Sequence, residues 1–486
     1  MSRLPASLLP ASTALGLALT LGACSLAPPN DTPPAPIAAS WPVGDAYLAQ
    51  SEAALPTVSY TEIFKDPRLR QLIATALENN RDLRVAAANV AAARAQVRVV
   101  RADQFPVVGV DGAATYADNG TSNINPGAGA RSSGRGWSYS TQGGVSAFEL
   151  DFFGRFANAT EAQRNAALAE EASARTIRLG LIADLARAWA TYGADRDLLA
   201  IALATAENAE RSVMLTSARL RGGIAPRTDL RQAEQVLETA RSDVAAQRAA
   251  LAQDINAIRL LLGTTEVDEA LLPGGIAEVV DSLGTLPAGT SSEVLLRRPD
   301  VVAAEYQLRA ANADIGVARA QLFPSISLTG LAGFASDALS SLFDSGSFRW
   351  SGGGRGAWTL FNGGGRVAAV EVSRAQRDAA VANYEGTVQT AFREVSDALA
   401  DQGTLSERLR SASANAAAAG DTARLTEARY RYGVDSFLSS LDAQRSLYAA
   451  RRSELATRLD LATNRITLYR VLGGDASTAT PAEPPR

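Results

Sequence analysis

Asn79-Asn80-Arg81-Asp82-Leu83, followed by Phe105-Pro106, returns later in the chain as Arg297-Arg298-Pro299-Asp300-Val301, followed by Phe323-Pro324, at an offset of 218 residues. Farther along, Leu150, Arg219, Gly223, Arg241 and Gly263 return as Leu360, Arg429, Gly433, Arg451 and Gly473 at an offset of 210. The offset changes once, between Pro106 and Leu150 in the first copy and Pro324 and Leu360 in the second. Both spans are rich in Gly, Ser, Asn and Asp, where length variation belongs to exposed loops. The chain is therefore an internal duplication, and each copy must be read as one supersecondary unit.

Each copy parses alike. A helix of about 29 residues, over 76–104 and 294–322, ends at the Phe-Pro pair because proline disfavours helix in the residue before it. Strand signals follow: Ile326, Leu328, Gly330, Ala332 and Phe334 alternate with Ser325, Ser327, Thr329, Leu331 and Gly333, and Trp137, Tyr139, Val145 and Ala147 do the same in the first copy. A long helix of about 64 residues comes next, over 155–218 and 366–430, with Ile182, Leu185, Trp189, Tyr192 and Leu199 at heptad-like spacing. After a break at Gly222-Gly223 or Tyr432-Gly433, a helix of about 36 residues carries Leu237, Ala240, Val244, Leu251, Ile258 and Leu262 on one stripe. The two shorter helices add up to the long one, which predicts that they stack end to end beside it over ~96 Å.

Each copy also offers one hairpin of roughly 10 to 13 residues per strand, close to the 9 to 11 that a tilted strand needs to cross a bilayer. Four strands do not close, and an open sheet edge in lipid leaves backbone groups unpaired at several kcal/mol each. Bacterial barrels begin at about eight strands, so membrane strands here require oligomerisation.

Composition excludes most chemistry. Among 486 residues there is no histidine, one cysteine and a single lysine, Lys65. That rules out a histidine triad and a Cys/His zinc site, and leaves only one position for a phosphate-loop lysine. Gly352-Gly353-Gly354 and Gly363-Gly364-Gly365 lack the Lys-Ser/Thr that a phosphate loop needs, and read as strand and turn glycines. The carboxylates are spread along helices with no paired acid and base, so no enzyme and no cofactor is expected. The 47 basic residues are interleaved with 51 acidic ones, net charge -4, which argues against nucleic acid.

Residues 1–23 carry Arg3, then an apolar stretch ending in Leu21-Gly22-Ala23-Cys24, and read as a secretory signal. The Leu-x-small-Cys ending resembles a bacterial lipoprotein signal, which implies cleavage before Cys24 and lipid on its thiol and new amino terminus. Ser25 in the next position implies an outer-membrane destination. The prolines from Pro28 to Pro36 give an extended tether. No segment has 18 uninterrupted apolar residues, so no transmembrane helix is expected. The resulting organisation is 1–23 signal, 24–60 tether, 61–275 first repeat, 276–293 linker, 294–474 second repeat and 475–486 tail.

The ordered, duplicated set resembles the TolC-type outer membrane efflux family, in its lipid-anchored OprM/NodT-type branch. The residues carrying the resemblance are the lipobox, Phe64-Lys65-Asp66-Pro67-Arg68-Leu69, both Phe-Pro junctions, Leu360-Phe361-Asn362-Gly363-Gly364, Arg429-Tyr430-Arg431-Tyr432-Gly433 and Leu441-Asp442-Ala443-Gln444. The resemblance implies a mainly α chain with a small β part. Three chains would form a long coiled-coil α-helical barrel and a transmembrane β-barrel with four strands from each. It implies a passive outer-membrane exit duct working with a periplasmic adaptor and an inner-membrane transporter of the RND type.

The resemblance further implies a periplasmic aperture at Tyr430 and Asp442, with Asp435 standing where relatives can carry a basic residue. It also implies adaptor contact at the two turns, through Arg221, Gly223 and Ile224 and through Arg431, Gly433 and Val434. The same glycines read equally as helix-terminating caps, and Asp442 as a solvated helix-face carboxylate. Trp137, Tyr139, Phe348 and Trp350 at one strand end read as an interfacial girdle or as core aromatics. A second class of protein, a periplasmic coiled-coil adaptor lipoprotein, shares the lipobox and heptads but explains two matched hairpins poorly.

Overall fold

The computed structural model describes residues 25–29, 32–37, 60–118, 135–284 and 292–474. The signal segment, Cys24 and the tail 475–486 lie outside the described residues. In chain order the elements are α1 (Tyr60–Ile63), α2 (Pro67–Asn79), α3 (Arg81–Ala102), β1 (Val108–Asp118), β2 (Arg135–Leu150), α4 (Arg155–Arg221), α5 (Arg227–Leu262), α6 (Ile276–Ser282), α7 (Pro299–Ala320), β3 (Ser325–Ser336), β4 (Phe348–Ala357), α8 (Gly365–Arg431) and α9 (Phe437–Val471). None of these helices is long and apolar enough to cross a membrane. They gather into two compact units, and each unit takes pieces of both repeats. One comprises Met1–Pro33, Ala91–Ala169 and Glu305–Ala382, the other Pro34–Val90, Glu170–Ala304 and Asn383–Arg486.

The first unit holds an antiparallel sheet of order β1-β2-β3-β4, in which the two hairpins join through β2 and β3. The pairing register sorts its side chains. Val110 lies level with Gly143, Gly143 with Ala332 and Ala332 with Trp350, which puts Val108, Val110, Tyr116, Trp137, Tyr139, Val145, Ile326, Leu328, Phe334, Phe348 and Trp350 on one face. Asp111, Ser138, Ser140, Gln142, Ser325, Ser327, Thr329, Arg349, Ser351 and Arg355 fall on the other. The apolar face is also the wetter one in the single chain: Val110 is 80% and Trp350 76% exposed. An apolar face this exposed requires a nonaqueous partner.

A bulge between Val145 and Phe148 keeps both residues on the apolar face. At Gly144, with φ of 146°, a Cβ would collide with the Gly330 carbonyl, so only glycine fits where β2 and β3 bend together. The outer edges of β1 and β4 have no strand partner among the described residues. Ser25 and Leu26 are held against this unit: the Ser25 hydroxyl donates to Asn158 Oδ1 at 2.7 Å, and Arg319 donates to the Leu26 carbonyl at 2.9 Å.

In the helical unit, Ile182, Leu185 and Trp189 of α4 and Leu237, Ala240, Val244, Ile258 and Leu262 of α5 are buried as their spacing requires. Tyr192 and Leu199 are half-buried. Trp189 donates its indole N–H to the Leu271 carbonyl at 3.0 Å, and Phe64 meets Tyr469 edge-on at 5.2 Å. Alanines fill the close contacts, Ala183, Ala186, Ala190 and Ala194 being buried along α4.

Two expectations are corrected. The expected 29-residue helices are 22 residues each, mainly because both start late. Asn80 is extended (φ -60°, ψ 136°), and its side chain caps α3 through the Leu83 N–H. Arg298 precedes Pro299 and is disfavoured in helix for the reason applied to the Phe-Pro pairs. The shorter helices, 22 and 36 residues, therefore fall short of the 67-residue α4, although the end-to-end arrangement holds. Asn80 donates to the Leu261 carbonyl at the end of α5, and Arg298 donates to the Val471 carbonyl at the end of α9. These ties are equivalent under the 218 and 210 offsets. Within the stretch read as the inter-repeat linker, α6 buries Ile276 and Val279, and Leu283 bridges to Phe64.

Candidate functional site

The two breaks between long helices have one geometry. In each, a glycine takes the left-handed conformation, Gly223 at φ 73° and Gly433 at φ 76°, which a residue with a Cβ adopts only at a cost. In each, the N–H of the next residue returns to an arginine carbonyl six-residue style, Ile224 to Arg219 at 3.0 Å and Val434 to Arg429 at 2.9 Å. Ile224, Tyr432, Val434 and Leu438 are left 76, 86, 61 and 61% exposed, an apolar cap on otherwise charged helix ends. Arg221 and Arg431 are also exposed.

The symmetry then breaks at one position. In the second turn Asp435 sits two residues after the glycine and takes Arg429 as a bidentate partner, at 2.7 and 2.9 Å. Those hydrogen bonds hold the Asp435 carboxyl below the usual carboxylate range. The first turn has Ala225 there, so Arg219 has no such local carboxylate. It reaches across instead, donating to the Tyr430 and Arg431 carbonyls at 2.8 and 3.0 Å and stacking 4.3 Å from the Tyr430 ring centre. Those carbonyls are at the C-terminal end of α8, where the Tyr430 carbonyl also accepts from the Gly433 N–H at 3.0 Å and the helix dipole favours a cation.

Tyr430 is 5% exposed, packed against Phe437, Leu441 and Ala233, and its hydroxyl has no hydrogen-bond partner among the described residues. Asp442 is exposed on α9, one residue beyond the buried Leu441, with no ion pair among the described residues. The structure therefore places Tyr430 inside the packing between the turns and Asp442 on the surface, while Asp435 is neutralised by its own chain. Farther along the helices, Tyr448 donates to Asp243 at 2.7 Å, joining α9 to α5. Asp195 on α4 and Asp254 on α5 share a hydrogen bond, and burial together with the Asp195 charge pushes Asp254 up to about 7. The sequence reading missed this pair and the reach of Arg219. For Arg219 the signal was present, an arginine repeated at 429 whose downstream aspartate is not repeated. For the carboxyl pair, 59 residues apart on different helices, no signal existed.

Trp137, Tyr139, Phe348 and Trp350 all lie on the apolar face at the hairpin-loop end of the sheet, where Trp137 meets Tyr116 edge-on at 5.5 Å. A second aromatic group, not anticipated, sits at the opposite strand ends. Phe323 stacks on Phe153 at 4.6 Å, and Trp358, 59% exposed, donates its indole N–H to the Leu322 carbonyl. No group of histidine, cysteine or carboxylate side chains suited to a metal exists among the described residues.

A sheet with one lipid-suited face, aromatic groups at both ends, and long duplicated helices defines an outer-membrane channel. Residues 72–264 and 290–474 match the family model described as outer membrane efflux protein, and the chain belongs to that family. It is 41% identical over 484 residues to a protein of Pseudomonas putida described as the probable efflux pump outer membrane protein TtgC, covering 95% of each chain. It is 40% identical over 466 residues to the outer membrane protein OprJ of Pseudomonas aeruginosa, again covering 95% of each. Among solved structures, the outer-membrane channel OprN superposes with a TM-score of 0.82 at 31% identity, over 93% of this chain and 100% of that one. The protein is thus an outer-membrane efflux channel, and the adaptor reading falls.

Proposed function

We propose that the chain works as a homotrimeric, lipid-anchored exit duct without catalysis. It would carry small solutes from periplasm to exterior for a periplasmic adaptor and an RND-type inner-membrane transporter. The observation carrying this reading is the four-strand sheet with one apolar face, one polar face and two unpaired edges. In lipid those edges must pair, and three copies supply twelve strands, above the minimum of about eight for closure. Cys24 carries the lipid, and the hold on Ser25 and Leu26 brings the anchor to the sheet-bearing unit.

In this reading the two turns form the periplasmic tip. Exposed Ile224, Val434 and Tyr432, bordered by Arg221 and Arg431, offer an adaptor an apolar patch with a basic rim. Asp442 repeated about a threefold axis forms a ring of negative charge, with Tyr430 and Arg219 holding the neighbouring backbone. The test is extraction in mild detergent followed by native mass measurement. A trimer carrying a lipid-modified residue 24 supports the reading, and a monomer in the soluble periplasmic fraction overturns it.

A further inference from the structure

Apart from Gln142 and Leu331, the uncharged positions on the polar face of the sheet are small: Ala113 on β1, Ser138 and Ser140 on β2, Ser325, Ser327 and Thr329 on β3, Ser351 and Gly353 on β4. Three free charges stand out from it. Arg349 and Arg355, both exposed on β4, have no carboxylate partner among the described residues, and neither does Asp111 on β1. The remaining charge, Glu149 on β2, is held bidentately by Arg155 at 3.2 and 2.6 Å and is cancelled. Asp111 lies in the same pairing row as Arg349, through Gln142 and Gly333, but three strand spacings away, ~14 Å. That is too far for an ion pair.

If a neighbouring copy brings its Asp111 beside one of these arginines, the other stays uncompensated. One aspartate against two guanidinium groups leaves one positive charge per chain whatever the register between copies. Arg349 and Arg355 are six residues apart, ~20 Å along the strand, so the excess is spread over much of the wall. Charges of one sign on a low-dielectric wall focus the potential inside a narrow conduit.

We propose that Arg349 and Arg355 make the sheet-walled section of the duct favour anionic over cationic solutes. The inference rests on the duct reading, since only a closed wall turns the polar face into a lumen. It concerns a different part of the chain from the Asp442 ring.

The test uses the full-length protein in intact cells with Ser351→Cys, placed between the two arginines on the same face; Cys24, the only native cysteine, is occupied by lipid in this reading. Two membrane-impermeant thiosulfonate reagents of similar size, one bearing a sulfonate and one a quaternary ammonium, are added from outside and their rates compared. A lumen potential of about one kT favours the anionic reagent by about e squared, roughly sevenfold. Adding Arg349→Gln and Arg355→Gln leaves Asp111 as the uncompensated charge and is expected to carry the ratio past that of the free reagents toward the cation, and Asp111→Asn alone is expected to raise it. A ratio unmoved by either change, or one favouring the cation before the arginines are removed, overturns the inference and leaves the duct standing. A cysteine at 351 that reacts with neither reagent shows that this face lines no water-filled lumen, and the duct reading fails with it.

Discussion

Replacing Arg219 with alanine is expected to unfasten the second turn while leaving both turns folded. Arg219 is half-buried, and the substitution removes two charge-assisted hydrogen bonds to the Tyr430 and Arg431 carbonyls, together with a stacking contact on the Tyr430 ring. At a partly exposed site each such hydrogen bond contributes about 0.5–1 kcal/mol and the cation–π contact about 0.5, so the loss is about 2 kcal/mol. At 1.4 kcal/mol per tenfold, the open population of the turn rises roughly 30-fold. The assay is deuterium exchange in detergent on peptides spanning 425–440, whose Gly433 and Val434 amides are bonded to the Tyr430 and Arg429 carbonyls. Ala225→Asp supplies an independent arm. It recreates next to Arg219 the carboxylate that Asp435 offers Arg429, so it should draw Arg219 home and raise exchange at 425–440 without removing any side chain. If exchange there changes less than twofold in both variants, the cross-turn tie contributes nothing and the reasoning fails.

Three further outcomes follow from the same structure. Asp254→Asn should be neutral near pH 2, well below the ordinary carboxylate value of 3.8, where the carboxyl is protonated whether or not the chain is folded. Between pH 3.8 and about 7 the unfolded chain ionises Asp254 while burial beside Asp195 keeps the folded chain protonated, so the wild type loses stability across that window and the variant should be the more stable above it, by about 1–2 kcal/mol after discounting for solvent screening, in thermal unfolding at pH 8. Gly433→Ala, with open space around the missing Cβ, should cost about 1 kcal/mol and still assemble, whereas Gly144→Ala should abolish the detergent-resistant oligomer on native gels because its Cβ meets the Gly330 carbonyl. Trp189→Ala, at a fully buried position that also bonds the Leu271 carbonyl, should destabilise the helical unit by about 3–5 kcal/mol, read as earlier loss of helicity on heating in detergent.

The duplication, the order of elements and the two-faced strands were legible in the chain alone, because they rest on short-range physics. Period 2 in Ile326 to Phe334 and spacing of three and four in Leu237 to Leu262 each follow from a single element burying one face. Proline after Phe323 and glycine at 223 and 433 act on backbone angles of one or two residues. For the same reason the chain disclosed Cys24 and the tip residues as candidates. Helix starts at Asn80 and Arg298 were missed because hydrophobic periodicity runs straight through them, while the break depends on a cap and on ties to Leu261 and Val471, far along the sequence.

Tertiary structure alone decided what those candidates do to one another. It buried Tyr430 against Phe437 and Leu441, gave Asp435 to Arg429, and sent Arg219 to the opposite turn. It also aligned Asp111, Gln142, Gly333 and Arg349 in one row, which fixed the contents of the polar face. Charge pairing and burial depend on distances between residues hundreds of positions apart, and those distances exist only once the chain has packed.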